Sequence, residues 1–340
     1  MIAPREFAFR DVVIVADILD ASTATDDFHN RRDLEQTETT TLQALKDAIG
    51  ALGLRSHHYR DPRELSENAS RHRDDIVWSI YGGENSRNRM ALVPAICETH
   101  HLNYVGLDVY GRIICQDKEI SKRLASDCGL TTPPYRLLRS ERDLNVIGHF
   151  PLPFVIKPLM EGSSIGISQQ NLVHESNNGI ALARDLLSTF TQPVMVEGFV
   201  GGREVSYCSI EANPVAYWSL AEVTVTGRED YFEDHLFDAE EKQFRRLPRD
   251  VRTIDGLLLE ADRAPLERFL STLGRYGYCR VDGKLYDGHF VFLEVSPDAW
   301  IAPRGAFAQS FTNKGWSYTD VIAAVLSSAA IGPPNPPSNG

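Results

Sequence analysis

At 340 residues, 42% of them hydrophobic and 24% charged, the chain has the make-up of an ordinary soluble globular protein with room for two or three domains. Its net charge of −12 argues against a nucleic acid or other polyanion as partner, so any phosphate it handles must be met by locally gathered Lys and Arg. Five scattered cysteines with no C-x-x-C exclude a disulfide framework or zinc site and point to reduced thiols. No apolar run nears the roughly 18 residues of a membrane span, and residues 1–11 lack a signal-peptide core, so a cytoplasmic protein without a membrane partner is expected.

In chain order, residues 12–15 (Val-Val-Ile-Val) read as a buried strand. Leu42, Leu45, Ile49 and Leu52 recur at spacings of three and four, one face of a helix that Gly53 ends. Residues 76–80 form a second strand leading into the loop 81–85, and this alternation predicts a small parallel α/β domain. A helix follows at 118–128 with Ile120, Leu124 and Cys128 on one face, stopped by Gly129. The remainder is strand-rich: 154–158, 194–197, 204–210, 215–220, 278–282 and 290–295. Leu266, Phe269, Leu270 and Leu273 supply a helix, Ser317 and Asp320 a capping-box start to the last one, and 331–340, with four prolines, a loose tail. The units expected are 1–115, 116–193 and 194–330.

Residues 154–166 carry the strongest chemical signal. A β-branched strand ends in Lys157, and the loop that follows, Gly162-Ser163-Ser164-Ile165-Gly166, is flexible enough to fold its amides over a phosphate. The same five residues match G-x-S-x-G, the nucleophile elbow of serine hydrolases. That elbow requires a helix directly after it, and residues 167–172 have no helical apolar period, so the phosphate-loop reading is favoured.

Around this loop several groups follow in one order: Lys118 at a helix start, then Lys157, then Glu197 and Glu204 seven residues apart. Last come Arg280 and Asp282, with Glu294 twelve residues beyond Asp282 across a hairpin centred on Asp287-Gly288. Two carboxylates facing each other across that hairpin suit Mg²⁺, a hard ion that takes oxygen ligands. Taken singly, each residue is as well explained as a solvated rim charge; the joint order and spacing carry the signal.

This order, closed by the Gly315-Trp316-Ser317-Tyr318 tract, resembles the ATP-grasp superfamily and its D-alanine–D-alanine ligase branch from about residue 76 to 326. The resemblance implies an α/β (mixed α+β) ATP-grasp fold of three domains, with ATP between two α+β domains that follow an N-terminal parallel α/β domain. It implies that Lys118 and Lys157 reach the ATP phosphates and that Ser163, Ser164 and Gly166 cover them. Glu197 would accept the adenine amino group, the Val200 backbone would meet the ring edge and Glu204 would hold the ribose. Asp282, Glu294 and Ser296 would be ligands of Mg²⁺, or of Mn²⁺ in its place, with Ser296 standing where the family has Asn and Asp298 close enough to compensate. Arg280 would steady the acyl phosphate. The activity implied is activation of a carboxylate as an acyl phosphate and its capture by an amine, catalysed by Lys157, Ser163 and Arg280 without a covalent enzyme intermediate; the branch is commonly homodimeric.

The departures gather on one side. Trp300 stands where a Gly lets the second substrate approach, Gly305 where a Ser holds its carboxylate, and His235-Leu236 where a Lys-Tyr pair meets the phosphates. Arg304 is a candidate for reading an acidic group or an exposed structural arginine. The loop that would hold the first amino group is replaced by a polar insertion with Asp26, Asp27, Asn30, Arg31 and Arg32 as candidates. The expectation is therefore a ligase of amino-acid-like substrates other than two D-alanines; the alternative is a non-catalytic ATP-binding module.

Overall fold

In the computed structural model, residues 7–19, 32–83, 86–213, 215–239 and 247–329 are described. The first sheet grows from β1 (Asp11–Val15), an apolar strand buried at every position, as the centre of a parallel sheet requires. β2 (Arg55–Tyr59) and β3 (Ile76–Ser79) flank it in parallel and β4 (Asn103–Tyr104) extends one edge, in the order β2-β1-β3-β4. The crossovers are α1 (Thr39–Ala51), α2 (Pro62–Asn68) and α3 (Leu92–His100). α1 buries the stripe Leu42, Leu45 and Ile49 read from its spacing, and Gly53, at φ 79°, ends the turn after it.

Two helices, α4 (Val109–Gln116) and α5 (Lys118–Asp127), lead to an antiparallel sheet of β5 (Tyr135–Leu138), β6 (Phe154–Pro158), β7 (Leu172–Val173) and β8 (Val194–Gly198), ordered β5-β8-β6-β7. On one face of that sheet, Phe154, Ile156, Val194 and Val196 form a core with Ala183, Leu186 and Phe190 of α6 (Ser176–Phe190). β8, expected at the head of the C-terminal unit, hydrogen-bonds between β5 and β6. The chain enters its third sheet only at β9 (Arg203–Ile210).

That sheet runs β11-β10-β9-β12-β13, adding β10 (Tyr217–Val225), β11 (Arg249–Thr253), β12 (Tyr278–Tyr286) and β13 (His289–Ser296), all antiparallel. Residues of one face, Val205, Tyr207, Val281 and Phe292, pack under α7 (Glu260–Thr272). The opposite face is divided along its length. At one end Ile210 and Tyr278 join a core shared with the first sheet, α8 (Ala306–Thr312) and α9 (Tyr318–Ser328). At the other end the same face, by the period-two rule, carries Ser206 opposite Asp282 and Glu204 opposite Lys284. One sheet face therefore passes from hydrophobic core to a charged wall. The five cysteines are free, and among the described residues no helix is long and apolar enough to cross a membrane. Asp26, Asp27, Asn30, Arg31, the side chain of Arg32 and the tail at 331–340 lie outside the described residues.

Candidate active site

The charged wall of the third sheet and the second sheet line one cleft, and Lys157, Ser164, Glu197, Val200, Glu204, His235, Asp282 and Glu294 all border it. Lys157 arrives there by strand alternation: Phe154 and Ile156 enter the core, so Val155 and Lys157 turn to the other face. On β8, Glu197 lies directly opposite Val155, and its Oε2 accepts from Lys157 Nζ at 2.5 Å. Its second oxygen is ion-paired to Lys122. Burial works to raise the Glu197 pKa, but the two ammonium groups outweigh it and hold the carboxyl below its usual value.

Lys122 was missed from sequence, and α5 explains why. The face expected to be buried was Ile120, Leu124 and Cys128, yet Ile120 is 42% exposed. The helix instead buries Lys118, Ser121, Lys122 and Ala125, because its charged i, i+4 pair faces the cleft and finds carboxylates there. Lys118 Nζ donates to the Glu161 carbonyl and lies 3.7 Å from Glu294 Oε2. Burial lowers the pKa of both lysines against the pull of Glu294 and Glu197, that of Lys122 to about 8. The spacing of Lys118 and Lys122 was the signal that an apolar search passes over.

The loop after β6 is a tight turn with Ser163 at φ 48°, Ser164 at φ 61° and Gly166 at φ 72°. Two consecutive serines in the left-handed region hold strain of about 1–2 kcal/mol each. Ser164 Oγ donates to the Phe237 carbonyl (3.0 Å), and a short 3₁₀ turn at Gln169–Asn171 follows, not the helix a hydrolase elbow needs. Gly162 N–H donates to Glu35 Oε1 at 3.0 Å. Glu35 is the acid that the polar insertion brings to this loop. Arg89 clamps it with two bonds of 3.1 Å and also reaches Glu161 Oε2 at 3.3 Å and the Met160 carbonyl at 3.2 Å. Burial raises the Glu35 pKa against Arg89. Nothing local marks Glu35 or Arg89 in the sequence; their partners are more than 50 residues away.

On the hairpin, Asp287 and Gly288 both take positive φ, 50° and 80°, the geometry of a two-residue turn, and Asp282 stands directly opposite Glu294 as expected. Arg280, two residues before Asp282 and on its face, bonds the carboxylate through Nε and Nη2, and Ser206 Oγ donates to Asp282 Oδ1 at 2.6 Å. Asp282 raises the pKa of Arg280 despite its burial, so this cation is permanent. Ser296 Oγ is 3.5 Å from Asp282 Oδ2, on the same side. Asp282, Glu294 and Ser296 are an all-oxygen set that suits a hard divalent cation, although among the described residues no third acid or histidine gathers with them. Asp298, the acid expected near Ser296, is engaged elsewhere through Oδ2. It is ion-paired to Arg112, itself fully buried.

Glu204 is held by Lys284, 3.1 Å away, which also donates to the Phe232 carbonyl at 2.9 Å. Lys284 thus ties Glu204 to the segment 230–237. In that segment His235 stacks on Tyr231 (centroids 4.2 Å apart, planes at 21°), and Gln169 Nε2 donates to the Leu236 carbonyl at 2.8 Å, so the segment lies over the serine loop. Trp300 is 42% exposed, and Arg304 lies over its ring, 5.3 Å from the centroid. Arg304 is also bound through Nη2 to both oxygens of Glu38, so its charge is already answered. Gly305 is buried, its N–H given to the Ala302 carbonyl at 2.8 Å, and offers the cleft no free donor.

Residues 124–327 match the family model described as the D-ala D-ala ligase C-terminus. The chain is 27% identical over 292 residues to the D-alanine–D-alanine ligase of Acinetobacter baumannii, spanning 84% of this chain and 88% of the relative. In fold it is similar to the D-alanine–D-alanine ligase of Bacillus anthracis solved in complex with ATP, with a TM-score of 0.69 at 17% identity over 96% of this chain and 98% of that one. The VanG D-Ala:D-Ser ligase of Enterococcus faecalis gives a TM-score of 0.67 at 17% identity, over 94% and 99% of the two chains. With the family model covering more than half of its length, the chain belongs to the D-alanine–D-alanine ligase family of the ATP-grasp fold.

Proposed function

We propose that this protein is an ATP-dependent carboxylate–amine ligase whose substrates are not two D-alanines. The observation that carries the reading is that Lys157, Glu197, Val200, Glu204, Asp282 and Glu294 line one cleft, with Lys118 3.7 Å from Glu294 and Arg280 bonded to Asp282. Arg280 supports catalysis over storage of a nucleotide, since a half-buried permanent cation beside two carboxylates has a use in stabilising negative charge that develops during a reaction. A substrate carboxylate oxygen would attack the γ-phosphorus of ATP, breaking the bond to the β,γ-bridging oxygen and releasing ADP. The amine nitrogen would then attack the acyl carbon, the carbon–oxygen bond to phosphate would break, and the amine would lose a proton.

In this reading Lys118 and Lys157 hold the phosphates, the amides of Ser163 and Ser164 cover them, and Glu197 accepts from the adenine amino group with the lone pairs its two lysines leave. Val200 meets the ring edge, Glu204 the ribose hydroxyls, and His235 borders the phosphate side. Asp282, Glu294 and Ser296 would hold Mg²⁺, which when bound supplies neutralisation of phosphate charge. The chain's own residues position the reactants and, through Arg280, bind the charge of the acyl phosphate and the intermediate after it.

The test is ADP release from Mg²⁺-ATP across a panel of carboxylates, each with and without amines. A carboxylate that stimulates release is the expected result. Asp282→Ala is expected to lower kcat at least about 100-fold while leaving the thermal unfolding midpoint near wild type. Binding of ATP with no stimulation by any carboxylate would establish the binding module instead, and an active Asp282→Ala would remove the metal assignment.

A further inference from the structure

A second cavity, of about 780 Å³, opens at one edge of the first sheet. Asp17 follows β1, Arg60 follows β2 and Tyr81 follows β3, and all three line it. They mark the carboxyl ends of these strands, and β2 and β3 lie on opposite sides of β1, so the chain changes direction there. Open parallel sheets bind ligands at that place, and the volume falls within the roughly 300–1,000 Å³ of small-molecule sites. Among the described residues this cavity shares no lining residue with the cleft of Lys157 and Glu197, so it is a separate site.

The cavity continues between α2 and α3. Pro62 of α2 and Leu92, Ala95 and Ile96 of α3 give it an apolar trough, and Ser66 Oγ lies 3.3 Å from His100 Nε2 further along the same two helices. The two acids that border it are engaged with backbone. Asp17 accepts from the Gly82 and Gly83 N–H groups at 3.0 and 3.2 Å, and Asp61, the N-cap of α2, accepts from the Arg63 N–H at 2.7 Å. The two arginines that border it, Arg60 and Arg63, are exposed. Arg63 Nε is 3.4 Å from Asp61 Oδ1, but 89% of the arginine side chain is in water, which screens that pair to little. A ligand here meets an apolar trough with two guanidinium groups beside it, the natural partners of a carboxylate.

The wall of this cavity also reaches the serine loop. Tyr81 leads into Gly82 and Gly83, where a Cβ would come 2.6 Å from the Glu35 carbonyl oxygen and 2.9 Å from Arg89 Cβ respectively. Glu35 in turn accepts from the Gly162 N–H, and Arg89 donates to the Met160 carbonyl. The loop 81–83 is thus wedged between the cavity and the two side chains that hold the serine loop.

We infer that this cavity is an effector site for an organic carboxylate with an apolar body, its charge met by Arg60 and Arg63 and its body by the α2–α3 trough, and that its occupation stiffens the serine loop through residues 81–83. The inference goes beyond the ligase reading and does not rest on it, since neither the site nor the coupling involves a nucleotide.

Full-length protein without nucleotide is titrated calorimetrically with 4-phenylbutyrate, 4-phenyl-1-butanol and n-butyrate. The expected result is that 4-phenylbutyrate, which carries both the charge and the body, binds at least about fivefold more tightly than either of the others. Arg60→Gln together with Arg63→Gln lowers its affinity to that of the alcohol, and Ala95→Trp, which fills the trough, abolishes binding. The thermal unfolding midpoint controls for folding, and the exposed arginine pair carries the decision if Ala95→Trp is unfolded. Saturating 4-phenylbutyrate slows hydrogen exchange over residues 160–166 at least about threefold in the wild type. Equal binding of the three probes, binding of 4-phenylbutyrate that the arginine variant leaves unchanged, or exchange at 160–166 that is unaltered or faster overturns the inference. The ligase reading is judged on ADP release alone, so either can fail while the other stands.

Discussion

Glu197 holds two ammonium groups at once, and under the proposed function that arrangement makes nucleotide binding sensitive to pH. Burial brings Lys122 down to about 8, so it is charged below that pH and neutral above it. Losing one positive charge weakens attraction for a polyanionic nucleotide, and affinity for ATP is therefore expected to fall as pH rises through about 8. The size is roughly tenfold, about 1.4 kcal/mol, as for one charge acting over ~12 Å at an effective dielectric near 20. Lys122→Arg stays charged and should flatten the profile between pH 7 and 9.5, measured by calorimetric titration with ATP. An unchanged inflection in the arginine variant assigns the titration to another group. The same residue shows where sequence pattern misleads. Lys118 was legible as a charge at a helix start, whereas Lys122 looked solvated because its partner, Glu197, is 75 positions away on another element.

At the scale of elements, the serine loop illustrates how geometry limits substitution. Gly166 has φ 72°, and a Cβ there would meet the Phe190 ring at 2.7 Å and Pro158 Cγ at 3.0 Å. Gly166→Ala combines a left-handed backbone penalty with overpacking of the α6 core, and a loss of about 2–5 kcal/mol is expected in urea unfolding. A loss below about 0.5 kcal/mol would mean that the loop relaxes freely and stores no such constraint. The hairpin of β12 and β13 was legible down to its facing carboxylates, since an Asp-Gly turn and period-two alternation fix register over a few residues. The last helix was legible for the same reason: Ser317 Oγ accepts from Asp320 N–H at 3.1 Å, and Asp320 accepts from Ser317 N–H at 2.9 Å. The buried face of α5 was not legible, because its burial answers the charge of a neighbouring wall and not an apolar period of its own.

Across the whole molecule, Arg89 joins the first sheet's region to the serine loop. It is 2% exposed and bonds both oxygens of Glu35 while reaching Glu161 and the Met160 carbonyl. Arg89→Met leaves Glu35 buried without its guanidinium, and a loss of about 3–5 kcal/mol is expected in urea unfolding. Arg89→Met combined with Glu35→Gln should recover a large part of it. If the double variant is no more stable than the single one, the penalty lies elsewhere than in Glu35. What the residue order alone determined was the family and the placement of Lys157, Asp282 and Glu294 on their strands, because those signals are strand alternation, turn chemistry and short-range spacing. Only the tertiary structure decided the long-range partners: Glu35 on the serine loop, Arg304 answered by Glu38, Asp298 taken by Arg112, and Trp300 left exposed. Those outcomes depend on which desolvated charges meet when separate sheets close on one another, and that meeting has no local period for a sequence to display.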